Sequence, residues 1–98
     1  MHAVVNHLRF AAPLEEATVA AFRDDAPRLL RDAGALGLYV VQPEPDHVVL
    51  VILFADAEAA ADVSQRVGGP WMREHIVPLL GAPTERSVGR VIGSFTVD

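Results

Sequence analysis

The chain contains no cysteine, so it has no disulfide framework, no thiolate nucleophile and no cysteine metal site. Packing alone must hold it together. Lysine is also absent: all eight basic residues are Arg, they are outnumbered by 13 acidic ones, and they form no basic run. A net charge of −5 repels phosphate backbones and anionic membranes, so nucleic acid is an unfavourable partner. Long hydrophobic runs are missing too. The longest unbroken apolar stretch, Val48 to Ala55, falls far short of the roughly 20 residues that span a bilayer, so no membrane partner is expected. The first residues, Met1 to His7, lack a basic region followed by an apolar stretch and a cleavage site, which leaves the cytoplasm as the expected compartment.

What the chain does have is apolar surface. Its 98 residues suffice for one hydrophobic core and not two, yet 51% of them are hydrophobic. With no bilayer to receive the excess, burial against a second copy of the chain is the expected outlet.

His2 to Phe10 alternates as a strand, with His2, Val4, Asn6, Leu8 and Phe10 on one face and Ala3, Val5, His7 and Arg9 on the other. A helix is expected over about 14–33, where Val19, Phe22, Ala26, Leu29 or Leu30, and Ala33 recur on one side and Pro27 kinks the axis. Gly34 and Gly37 close it, and Leu38 to Gln42 forms a second strand. Pro43 to Asp46 then turns the chain into a third strand, His47 to Phe54, which is apolar on both faces. Asp56 caps a second helix that is expected to end at Gly68-Gly69, and Pro70 opens a further helix from Trp71 to Leu80. The last strand is expected over about 84–97.

The order βαββαβ is met most simply by a single α+β domain of ferredoxin-like type, a four-stranded antiparallel sheet with its helices on one face. The open face, carrying Val49, Val51 and Leu53 or the alternate set on the other side of that strand, is then the expected surface for a homodimer.

In this element order, in the first strand Val-Val-Asn6-His7-Leu8, in Gly34 and Gly37, and in Trp71-Met72-Arg73-Glu74-His75-Ile76-Val77-Pro78-Leu79, the chain resembles the dimeric α/β barrel superfamily. Within it the likeness is greatest to the antibiotic biosynthesis monooxygenase family. The resemblance implies a pocket between sheet and helices, and oxidation of a quinol- or anthrone-type aromatic by molecular oxygen with no metal, flavin or other cofactor. A heme-degrading branch of the superfamily uses an Asn on the first strand and a His on the second helix, near the places of Asn6 and His75. That branch also carries a Trp where this chain has Gln65 or Arg66, a departure from the pattern.

Asn6 and His75 are accordingly the candidate catalytic residues: an amide to hold a phenolate or peroxide oxygen, and an imidazole to remove a phenolic proton. Trp71, four residues before His75, and Tyr39 are the candidate substrate-binding residues. Each has a structural alternative. Asn6 can satisfy a neighbouring backbone group, Trp71 can anchor the core or an interface, His75 can face solvent, and Tyr39 can be packing. The His residues show no metal-binding pattern, and no phosphate loop or nucleophile elbow occurs. A non-catalytic ligand-binding dimer is the rival expectation.

Overall fold

The computed structural model describes residues 1–97. Strands β1 (His2–Arg9), β2 (Gly37–Glu44), β3 (His47–Phe54) and β4 (Glu85–Arg90) form one antiparallel sheet in the order β2-β3-β1-β4. β1 and β3 pair in register from His2 opposite Phe54 to Arg9 opposite His47. This places Val4, Leu8, Val48, Leu50, Ile52 and Phe54 on the same face, all nearly inaccessible. Helices α1 (Glu16–Ala20), α2 (Ala26–Ala33), α3 (Ala57–Val63) and α4 (Gly69–His75) cover that face, with Phe22, Ala26, Leu30, Ala60, Val63 and Ile76 pointing into the core. The expected α+β architecture is the observed one. No helix among the described residues is long and apolar enough to cross a membrane.

The caps follow local chemistry. Asp56 accepts a hydrogen bond from the Ala59 N–H at 2.8 Å, satisfying a donor that the first turn of α3 leaves free. Gly34 ends α2 at φ 110°, a conformation a side chain would strain.

Three boundaries differ from those expected. Gly68-Gly69 does not end the second helix. The chain stays helical from Ala57 to His75 through a widened π turn at Ser64–Gly68, closed by the Gly69 N–H donating to the Ser64 carbonyl. A Cβ at position 69 would stand 2.9 Å from that carbonyl oxygen, so glycine here permits a wide turn instead of a stop. A matching π turn, Ala21–Asp25, lies before Pro27, and the chain stays helical through that proline; widening there accommodates a ring that would otherwise clash with the preceding turn. Secondly, β2 runs on through Pro43 to Glu44. It is an edge strand, where a missing N–H is tolerated, and its register shifts between Val41 and Glu44.

The last strand is the third. It ends at Arg90, because its neighbour β1 begins at His2 and offers no further pairing beyond the bond from the Val91 N–H to the Met1 carbonyl. Residues 91–97 keep the alternation read from the sequence without a strand beside them. Ile92, Phe95 and Val97 are each nearly nine-tenths exposed.

Gly69→Ala is expected to destabilise the fold by roughly 1–3 kcal/mol, the usual cost of overpacking. Gly89→Ala, where an added Cβ meets nothing within 4 Å, serves as its control in urea unfolding. Equal midpoints for the two variants would refute this account of the π turn.

Candidate functional site

Asn6 is the one polar side chain that β1 sends toward the helices between Val4 and Leu8. It is 9% exposed, and its Oδ1 is buried without a hydrogen-bond partner. Leaving a buried carbonyl unpaired costs about 1–3 kcal/mol, so its presence in an apolar layer calls for an explanation. The explanation offered by the geometry is a cavity of about 300 Å³ between sheet and helices, into whose wall Asn6 is built.

Leu30, Leu38, Leu50, Ile52 and Met72 supply an apolar lining, and Trp71 adds an aromatic wall. The indole is fixed by an edge contact to Phe22, centroid to centroid 5.8 Å at 69°, and Phe22 in turn meets Phe10 edge-on at 6.3 Å. Asn6 and Trp71, proposed from the sequence, thus meet at one cavity.

His75 and Tyr39 do not join them. His75 does not line the cavity; its ring packs against Trp71 at 5.6 Å, its side chain is 49% exposed, and Nε2 lies 3.8 Å from the Glu74 carboxylate. The four-residue spacing did bring His75 beside Trp71, but on the side turned away from the lining. Tyr39 pairs with Val51 on the open face of the sheet and is 66% exposed, so the sheet separates it from the cavity. The residues present do not fit a heme at this site, because the His75 imidazole lies outside the space an iron would have to share.

Two residues that the sequence reading passed over complete the site. Arg86 on β4 lies directly opposite Asn6 on β1 and therefore faces the same way; its Nη2 donates to the Ser64 hydroxyl at 3.4 Å. Arg73 lies one turn beyond Gly69 in α4, and its Nη1 would be 3.3 Å from a Cβ built on that glycine. Both guanidiniums therefore rest against the π turn. Arg86 was legible in principle as the residue on the Asn6 face of the last strand, once the β1–β4 register was known. Arg66, on the same turn, is taken: Asp62 accepts two bonds from it at 2.9 and 2.7 Å, and these hold the Asp62 carboxyl below the usual carboxylate range. Among the described residues, those lining the cavity include no Asp, Glu or His, so its only charged groups are the two arginines.

No family model matches the sequence, and no curated relative is significantly similar to it. Solved structures do match. A candidate antibiotic biosynthesis monooxygenase from Nitrosomonas europaea superposes with a TM-score of 0.78 at 16% identity, covering 95% of this chain and 100% of that one. SnoaB, a cofactor-independent oxygenase from Streptomyces nogalater, gives 0.75 at 13% identity over 95% and 94% of the two chains. The chain has the antibiotic biosynthesis monooxygenase fold. A Nitrosomonas europaea protein of unknown function shares that fold as well, with a TM-score of 0.80 at 17% identity over 99% of this chain and 94% of its own. At such identities the likeness is one of architecture, and chemistry must be argued from the cavity.

If Asn6 serves a ligand and not the fold, an apolar residue of similar size should be better tolerated than the native amide. Asn6→Leu is expected to raise unfolding free energy by about 1 kcal/mol, the desolvation cost it removes. A clear loss of stability in chemical denaturation would show Asn6 to be a structural amide.

Proposed function

We propose that the chain binds a small aromatic metabolite in this cavity and oxidises it with molecular oxygen, without a resident cofactor. The observation that carries the reading is the unpaired Asn6 carbonyl inside an aromatic-walled apolar cavity. A phenolic hydroxyl of the ligand would donate to Oδ1, and the ring system would lie against Trp71. The likeness in fold to a cofactor-independent oxygenase supports the choice of reaction.

In such a reaction the substrate is itself the reductant. A quinol- or anthrone-type carbon loses a proton, and the resulting carbanion transfers electrons to oxygen. A C–O bond forms and the O–O bond then breaks, so the carbon becomes a carbonyl and the second oxygen atom leaves as water. Because no carboxylate or imidazole lines the cavity, the proton passes to water, and the protein contributes by stabilising the anion left behind. The two guanidiniums at the cavity are the groups able to do so. In this proposal Asn6 orients the ligand. His75, packed against the indole, positions Trp71 instead of acting as the base.

The rival reading, a binding protein without turnover, is favoured by the same lack of titratable groups. The two part company on oxygen consumption.

The proposed partner is a second copy of the chain. Val5, Val49, Val51 and Leu53 form a half-buried apolar strip on the open face, with Tyr39 and Val41 exposed beside it. At about 25 cal/mol per Å², covering such a strip is a substantial drive toward association. The unpaired apolar alternation of residues 91–97 would be covered in the same event, and Tyr39 then belongs to the subunit contact.

Oxygen-electrode assays with anthrone and quinol substrates are expected to show uptake that falls on the order of 10–100-fold in kcat/KM for Asn6→Ala and Trp71→Ala, as expected for lost positioning. His75→Ala should retain a wild-type pH profile; loss of its acidic limb, the one a general base produces, would restore His75 as the base. Binding without any oxygen uptake would leave the non-catalytic reading. Sedimentation at micromolar concentration should give a dimer for the wild type and a monomer for Val51→Glu. A stable wild-type monomer would remove the assembly.

A further inference from the structure

Arg73 and Arg86 stand out in a protein whose net charge is −5. Three of the eight arginines are engaged with acids, Arg23 with Asp24 and Glu16, Arg28 with Asp25, and Arg66 with Asp62, and Arg9, Arg31 and Arg90 do not line the cavity. Arg73 and Arg86 have no carboxylate partner among the described residues, yet both line the cavity, where no acidic residue faces them. Guanidiniums are permanently charged and present planar paired donors, the geometry that carboxylates accept. Both side chains are exposed, so the positive end of the cavity is its solvent end; Asn6, 9% exposed, marks its inner end.

The cavity thus has a direction. Its inner end offers an acceptor that lacks a donor, its middle is apolar with one indole wall, and its outer end offers two cations that lack an anion. We infer that the ligand is an aromatic hydroxy-acid, its hydroxyl donating to Asn6 Oδ1 and its carboxylate held by Arg73 and Arg86. This rests on the aromatic-ligand reading of the cavity and narrows it to anionic, two-ended molecules. The arginines fulfil two roles on this view: they select the carboxylate, and their field favours negative charge developing on the ring. Ser64 holds Arg86 at its post through the 3.4 Å bond, leaving the remaining guanidinium donors for the ligand.

Three probes separate the parts: naphthol carries the hydroxyl alone, naphthoate the carboxylate alone, and hydroxynaphthoate both. In calorimetric titrations of the full chain, hydroxynaphthoate is expected to bind at least about tenfold more tightly than naphthol, the gain of one charge-assisted contact. That advantage should shrink with added salt, and it should fall to within about twofold in Arg73→Gln/Arg86→Gln, whose naphthol affinity stays at the wild-type value. Both positions are exposed, so folding is not at stake; a circular dichroism melt confirms it. Equal wild-type affinity for naphthol and hydroxynaphthoate would overturn the anionic-ligand inference while leaving the aromatic site intact. An advantage undiminished in the double variant would overturn the assignment to these arginines. Failure of all three probes to bind would remove the aromatic site itself, and this inference with it.

Discussion

The pairing of β1 with β3 is the constraint on which the rest depends. β3 carries apolar residues at every position from Val48 to Phe54, so it must be covered on two sides. The helices cover one side. The register that sets Asn6 opposite Leu50 puts the amide in the middle of that covered layer, in a space where its carbonyl finds no partner. A one-residue slip would exchange every side chain between the faces, sending Asn6 out to the open sheet and His7 in. Core and cavity are therefore consequences of the same ladder.

A layer of helices packed uniformly on that sheet would close the space. Both helical stretches instead widen by a π turn, at Ala21–Asp25 and Ser64–Gly68, and the second of these lies directly against the cavity. π turns are costly in a helix and concentrate where a site needs them. Here the turn is sustained by a glycine that leaves room for the Ser64 carbonyl. It gives Arg73 and Arg86 a common surface to rest on. The local irregularity and the positive end of the cavity have one origin.

The covered and open faces of the sheet divide the chain's functions. The covered face holds the cavity proposed as the ligand site. The open face holds apolar surface with no occupant in a lone subunit, together with a His7–His47 hydrogen bond of 3.2 Å at one end of the strip. Aromatic residues fall on both sides of this division: Trp71 and Phe22 serve the cavity, whereas Tyr39 and Phe95 look outward.

Periodicity and local chemistry in the sequence determined the existence and order of the strands, the Asp56 cap, the Gly34 stop and the grouping of Asn6 with Val4 and Leu8 on one strand face, because each depends on near neighbours along the chain. Tertiary structure decided what depends on distant contacts. The last strand stops at Arg90 because β1 has ended, which no alternation within 84–97 can reveal. Gly68-Gly69 continues a helix because the Ser64 carbonyl needs the room. His75 lies outside the cavity although it is one turn from Trp71, since a four-residue spacing fixes adjacency but not which side of the pair meets the hollow. Arg86 enters the site because a β-ladder brings position 86 opposite position 6, and that pairing across the sheet is set by the packing of the whole domain.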